Sequence, residues 1–278
     1  MTNLIAVAQM TSTDHVEKNL QTCALLAEDA KARGTTLLCL PENFAYLPAQ
    51  SEENLKIAEP LDGPLLKQYR NLAKKHQLWL SLGGFQETSP KPSSIFNTHV
   101  VVDPAGEIKA AYRKIHLFSL DIPKQPTFDE SLTVTPGSQM VLAPSPLGSL
   151  GLSICYDLRF GELYQKLTQA GAQVLLVPAA FTDTTGKDHW EVLLRARAIE
   201  NQCYVVAAAQ TGTHHPARRT HGHGMIVDPW GTPIAQCSQG TQIACAEIDL
   251  SYLNRIRSQM PVLKHRRPEI YGNPVALE

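Results

Sequence analysis

The chain repeats part of itself, and that repeat limits the folds open to it. Gly34-Thr35-Thr36-Leu37-Leu38-Cys39-Leu40-Pro41-Glu42-Asn43-Phe44 aligns with Gly171-Ala172-Gln173-Val174-Leu175-Leu176-Val177-Pro178-Ala179-Ala180-Phe181, matching at the glycine, the apolar run, the proline and the phenylalanine. Further along, Val101-Val102-Asp103-Pro104-Ala105-Gly106 is echoed by Ile226-Val227-Asp228-Pro229-Trp230-Gly231. Asp-Pro followed by Gly is turn chemistry, because proline presets φ and glycine accepts φ > 0. Two helix–strand units and two such hairpins in the same order predict two pseudo-equivalent halves. Such halves pack as two sheets around one core with helices outside, a four-layer αββα sandwich of the α/β class. These pieces are also common αβ vocabulary, so the repeat alone does not decide the matter.

The local patterns agree with that architecture. Strands are expected over Ile5–Gln9, Thr36–Leu40 and Leu78–Gly83, with helices over Val16–Arg33 and Gly63–His76 between them. A hairpin over Thr98–Val102 and Glu107–Arg113 follows, and later a buried strand over Leu147–Ile154 and a helix over Gly161–Ala170. Alternation of this kind puts the working loops at the C-terminal ends of the strands. No linker or low-complexity stretch separates the halves, so one domain is expected over residues 1–278.

Bulk composition narrows the function classes. The net charge is −1 and the basic residues are dispersed, which argues against nucleic acid or an anionic membrane as the main partner. No apolar run reaches the ~18–20 residues needed to cross a bilayer, and the start of the chain lacks the basic lead of a signal peptide. Six cysteines form no CxxC pair, so a reducing, cytoplasmic setting is expected.

Among those cysteines, Cys155 has the most suggestive setting. It follows the strand ending Leu152-Ser153-Ile154 and precedes Tyr156-Asp157-Leu158-Arg159-Phe160, at a sharp strand-to-helix junction. There the positive end of the peptide dipoles is expected to favour thiolate. A nucleophile needs a base and an oxyanion stabiliser. Glu42 follows a strand-stopping proline and should project at the sheet edge, where partial desolvation would raise its pKa and suit it to take a thiol proton. Its counterpart in the repeat is Ala179. Lys114, in Tyr112-Arg113-Lys114-Ile115-His116-Leu117-Phe118, is flanked by apolar and aromatic residues that could line a pocket around its charge. Glu130 is a further loop carboxylate. Each of these, taken singly, is equally read as a core cysteine, solvated loop carboxylates and a snorkelling lysine.

Taken together, Pro41-Glu42, the Tyr112–Phe118 run and Ile154-Cys155-Tyr156-Asp157-Leu158-Arg159-Phe160 resemble, in order, the three catalytic signatures of the nitrilase superfamily of carbon-nitrogen hydrolases. The likeness continues through His189-Trp190, Arg195–Gln202 and Gly222-His223-Gly224 and covers essentially the whole chain. His214-His215 ahead of Gly222, and the tail Leu263–Gly272, resemble the deaminated-glutathione amidase branch; a departure is Gly161, where many relatives have proline. The resemblance implies amide hydrolysis through a cysteine thioester, with a small carboxylate-bearing amide as substrate and neither a metal nor an organic cofactor. Cys155 would be the nucleophile, Glu42 the base, and Lys114 with the backbone N–H of Tyr156 the oxyanion site, supported by Glu130. Deaminated glutathione, yielding 2-oxoglutarate and Cys-Gly, is the first expected substrate, and 2-oxoglutaramate, the substrate of an ω-amidase, is the second. A homodimer is expected on the same ground.

Substrate-binding candidates are Tyr156, Arg159 and His189, with Arg218 and Arg219 on a loop that also carries His214, His215, His221 and His223. Arg195 and Arg197 fit either a carboxylate site or structural ion pairs around a helix over Asp188–Asn201. The histidine cluster invites a metal-hydrolase reading, but its spacing matches no HExxH helix. A binding protein on the same fold is the non-enzymatic rival.

Overall fold

The computed structural model describes residues 3–120 and 128–271. The first half runs β1 (Leu4–Met10), α1 (Val16–Ala32), β2 (Leu37–Leu40), a one-turn α2 (Asn54–Ile57), α3 (Pro64–His76), β3 (Trp79–Thr88), β4 (Ile95–Val102) and β5 (Ile108–Arg113). A short ribbon of β6 (Ser119–Leu120) and β7 (Phe128–Asp129) leads into the second half. That half runs β8 (Leu142–Ser145), β9 (Gly148–Leu152), α4 (Gly161–Gln169), β10 (Val174–Leu176), α5 (Asp183–Asn201), β11 (Tyr204–Ala207), β12 (Ala209–His215), β13 (Arg218–His221), β14 (Met225–Val227) and β15 (Pro233–Gln236). It closes with β16 (Gln242–Glu247), α6 (Leu250–Gln259) and α7 (Pro268–Tyr271). Gly272, the last residue of the tail noted above, lies outside the described residues.

Among the described residues the larger sheet is ordered β13-β12-β1-β2-β3-β4-β5, with β16 antiparallel to β1, and the smaller is β15-β14-β11-β10-β9-β8. The path β1-β2-β3-β4-β5 in one sheet is matched by β9-β10-β11-β14-β15 in the other. The two turns close alike: Gly106 N donates to Asp103 O and Gly231 N to Asp228 O, and each aspartate's Oδ1 accepts from two further backbone N–H groups. The repeat is therefore a structural one. What breaks it is the β12–β13 hairpin, which leaves the second half and joins the first sheet beside the end of β1.

Period-two alternation builds the layers. Ile5 and Val7 of β1 turn inward to meet Leu150, Leu152, Val174, Leu176 and Val206 of the opposite sheet. Ala6 and Ala8 turn outward to Leu26 and Ala30 of α1, with Leu66 and Tyr69 of α3 in the same cluster. On the far side Leu175 and Val205 pack under Leu163 and Leu167 of α4 and Trp190 and Leu194 of α5. Three apolar clusters in this order make the αββα sandwich. Several expected boundaries shift. The strand before the cysteine is Gly148–Leu152, and the helix placed over Asp188–Asn201 begins at Asp183, where Thr182 caps it by accepting from Thr185 N. The segment expected to be a histidine-rich loop is largely the β12–β13 hairpin.

Candidate active site

Four strand ends converge where the two sheets meet. β2 stops at Leu40, and Pro41 ends its pairing, which leaves Glu42 at the sheet's edge. β3 can approach Pro178 of the other half only because Gly83 has no Cβ; one built there would lie 2.0 Å from the Pro178 Cβ. Lys114 follows β5 directly, its N–H held by the Asn97 carbonyl at 2.9 Å. Cys155 follows β9 after Ser153 and Ile154 and opens a five-residue 3₁₀ turn, Cys155–Arg159, with its own N–H donating to Pro178 O at 2.9 Å. The β6–β7 ribbon delivers Glu130.

The side chains meet closely. Lys114 Nζ lies 3.0 Å from Glu42 Oε1, 3.1 Å from Glu130 Oε1 and 2.8 Å from Glu130 Oε2. Asn97 Nδ2 donates to Glu42 Oε1 at 3.0 Å and to Glu130 Oε1 at 3.2 Å, which ties the two carboxylates together. Glu42 Oε2 accepts from Ala180 N at 3.0 Å, and the Glu42 carboxylate also hydrogen-bonds Cys155. Phe118 N fixes Glu130 Oε2 at 2.8 Å. Glu42 and Lys114 are almost wholly buried, at 3% and 2% exposure. Two carboxylates and one ammonium, each with several partners, form a buried network whose members are expensive to remove singly.

Electrostatics reverse two sequence expectations. Burial pushes Glu42 toward its neutral form, but the Lys114 ammonium and hydrogen bonds from Cys155 and Lys114 outweigh it, so the carboxyl is held below its ordinary value rather than raised. Burial, then the Glu42 charge, pushes the Cys155 thiol well above the ordinary cysteine range, against Lys114 and the Ala180 N–H. The short 3₁₀ turn offers too little dipole to reverse this, so the resting group is a thiol and not a thiolate. Burial disfavours the Lys114 charge, yet Glu130 and Glu42 hold it well above its ordinary range. The resting site thus holds a base ready to accept a proton, a thiol ready to give one, and a fixed positive charge beside both.

A solvent-open pocket leads to the sulfur, lined by Phe118, Tyr156, Arg159, Phe181, Thr182 and Thr185 among others. Tyr156 and Arg159 thus line it, and Arg159 Nη1 meets His189 Nδ1 of α5 at 3.2 Å in an exposed contact, which puts His189 near the mouth. Arg218 adds to the field that lowers Glu42. Arg219 does not join them: it is its neighbour on β13, so it points to the opposite face, and its Nε lies 4.0 Å from Asp183 Oδ1 in an exposed pair. Arg195 binds Gly231 O and Glu191, and Arg197 binds Leu158 O and Glu200, so both are structural. Both ring nitrogens of His214 are engaged, by Ser12 O and Thr220 Oγ1, each at 2.7 Å. No cluster of three His, Cys, Asp or Glu suited to a metal occurs among the described residues.

Three contributors had escaped the sequence reading. Asn97 sits mid-strand with no motif around it. Gln210 holds the Glu42 carbonyl at 2.9 Å from a strand that the repeat does not contain. Asp157, two residues past the cysteine, is fully buried, which nothing in its sequence setting announces.

Comparison with known proteins places these features in context. The carbon-nitrogen hydrolase family model matches residues 4–258. The deaminated glutathione amidase of Bos taurus is 50% identical over 274 residues, covering 97% of this chain and 84% of that protein. The crystal structure of the C. elegans NitFhit protein superposes with a TM-score of 0.92 at 46% identity, covering 99% of this chain and 68% of that one. Saccharomyces cerevisiae Nit3, described as a member of branch 10 of the nitrilase superfamily, superposes at 0.85 with 31% identity, covering 95% and 96% of the two chains.

Proposed function

Because the chain belongs to the carbon-nitrogen hydrolase family, we propose that it is an amidase that hydrolyses deaminated glutathione to 2-oxoglutarate and Cys-Gly through a thioester on Cys155. The observation that carries this reading is the Glu42 carboxylate, bonded at once to Lys114, Asn97, Ala180 N and the Cys155 thiol. The substrate is taken from the name of relatives whose sequences match nearly the whole chain.

The reaction follows from the resting protonation states. As the Cys155 sulfur attacks the amide carbon, Glu42 takes the thiol proton, so no free thiolate need form in a site that disfavours one. The carbonyl oxygen becomes an oxyanion held by the Lys114 ammonium and the Tyr156 N–H, which belongs to the first turn of a helix and lacks an intrahelical acceptor there. When the intermediate collapses, the C–N bond breaks and Glu42 returns its proton to the leaving amine. A water then attacks the thioester while Glu42 removes its proton. The second collapse expels the sulfur, which regains the proton from Glu42. Glu130 and Asn97 hold Lys114 in line throughout. Arg159, His189 and Arg218 offer positive or hydrogen-bonding groups to the substrate's carboxylates. We further infer a single catalytic domain over residues 1–278, a homodimer, and a reducing cytoplasmic setting, supported by the six unpaired cysteines.

The test is turnover of deaminated glutathione beside 2-oxoglutaramate, with Cys155→Ala as the blank. The reading predicts preference for the first and loss of both activities in the variant. Preference for 2-oxoglutaramate moves the protein to the ω-amidase branch with the same chemistry. Turnover by Cys155→Ala overturns the mechanism.

A further inference from the structure

Cys155 has φ of 47°, a left-handed conformation that a residue other than glycine keeps only when its surroundings over-determine it. The residues two before and two after it are each tied down by the first half of the chain. Before it, the Ser153 carbonyl accepts from His99 Nδ1 at 3.0 Å, and His99 Nε2 meets the Ser81 hydroxyl at 2.7 Å. After it, Asp157 Oδ2 accepts from Tyr112 OH at 2.7 Å and from Ile154 N at 2.8 Å. Asp157 Oδ1 accepts from His116 Nδ1 at 2.7 Å and from His116 N at 3.1 Å, while the His116 ring stacks on Phe160 with centroids 3.7 Å apart. Tyr112 and His116 stand two residues either side of Lys114, just as Ser153 and Asp157 stand two residues either side of Cys155.

Among the described residues the two sheets are joined by isolated backbone bridges, Ala179 with Ala209 and Thr182 with Thr220, and by no continuous ladder, so beside Cys155 their relative position depends largely on side-chain packing, and apolar packing tolerates small slides. Attack by the sulfur does not tolerate them. A carboxylate satisfied by four donors is directional where a packed apolar group is not, and it costs desolvation that an apolar core would avoid. We propose that Asp157, gripped by Tyr112 and His116, and His99, bonded to Ser153, are positioning residues that hold the Cys155 backbone in its left-handed turn and fix its sulfur against the Lys114 ammonium. They act through the cysteine's backbone and not on the substrate. The inference rests on the amidase reading of the site, but its test does not depend on that reading alone.

His116 is partly exposed, so it can be changed without opening a core cavity. Purified wild type, His116→Ala, His116→Asn and Tyr112→Phe are compared for kcat and KM on deaminated glutathione, and for the rate at which iodoacetamide alkylates Cys155, located by peptide mass. His116→Ala is expected to lose about 10- to 100-fold in kcat and in alkylation rate, with KM within about twofold. His116→Asn, which keeps an N–H donor, should recover most of both, and Tyr112→Phe should lose kcat in the same sense. Wild-type alkylation and kcat in His116→Ala would overturn the proposal, as would failure of His116→Asn to recover. If wild type does not turn over the amide, the amidase reading fails and the alkylation rates still decide the positioning role.

Discussion

At Glu42, burial pulls the carboxyl up, and the Lys114 ammonium together with hydrogen bonds from Cys155 and Lys114 pulls it down further. The consequence for pH is direct. A base held below its ordinary value stays ionised further into acid, so the acid limb of kcat/KM is expected below pH 4.5, the ordinary value for glutamate. For stability, a depressed carboxyl contributes fully above its unfolded pKa, and that contribution is lost as pH falls through the folded value. Urea midpoints of wild type and Glu42→Gln should therefore converge in acid, while Glu42→Gln lowers kcat by at least about 10²-fold near neutrality. An acid limb above the ordinary glutamate range would contradict the account. Lys114→Met leaves two buried carboxylates without their cation, and a loss of about 3–5 kcal/mol in urea unfolding is expected along with activity. At this scale the meeting of Glu42, Lys114 and Cys155 was expected from a strand-stopping proline, an apolar and aromatic run and a strand-to-helix junction only when these were taken together, and that of Glu130 only from the family resemblance. Their protonation was not legible, since it depends on how closely Lys114 Nζ sits to two carboxylates from distant segments.

At the scale of elements, the site depends on close approaches between strands. Gly84 in β3 has φ of 70°, and a Cβ there would lie 2.8 Å from Glu42 Cγ and from Asn97 Oδ1. Gly84→Ala is expected to lower the melting temperature and kcat together, because it both strains the strand and displaces the Glu42 side chain, the base of the proposed reaction. Gly161→Pro should do the reverse to stability. It occupies the first position of α4, where proline's fixed φ suits a helix, and the nearest atom to a built Cβ is Arg197 Nη1 at 3.4 Å. A gain of roughly 0.4–1 kcal/mol in urea unfolding with unchanged kcat is expected; destabilisation would show that the helix start needs the Gly161 N–H. Helices α1, α3 and α4, expected from the alternation of helical and strand-like runs, fall within one residue of the expected bounds. The β12–β13 hairpin was missed because its sequence, dense in His, Arg, Gly and Pro, lacks the alternation of a strand. Its pairing with β1 comes from tertiary context.

At the scale of the whole molecule, the two-half architecture was written in the repeat of Gly, apolar strand and Pro and in the paired Asp-Pro turns. A covering surface is not written in that way, because an apolar residue on an exposed face reads the same with or without a partner. Val192 and Ile199 stand seven residues apart on α5 and are 66% and 48% exposed, and Trp230, in the turn beside Ile199, is 57% exposed. This strip is where the homodimer we propose is expected to close, extending the sandwich through helix-to-helix contact. Sedimentation should show a dimer for the wild type and a shift toward monomer for Val192→Glu. A monomer for wild type at micromolar concentration would reject that assembly.

The central claim is a covalent one, and intact mass tests it most directly. Glu42→Gln and wild type are mixed with deaminated glutathione, quenched in acid within the first turnovers, and weighed whole and after digestion. The account predicts a 2-oxoglutaryl adduct on wild type, confined to the peptide carrying Cys155, and none on Cys155→Ala. In Glu42→Gln the adduct should form far more slowly. Continued turnover with no adduct at Cys155, or with the adduct on another residue, would contradict it.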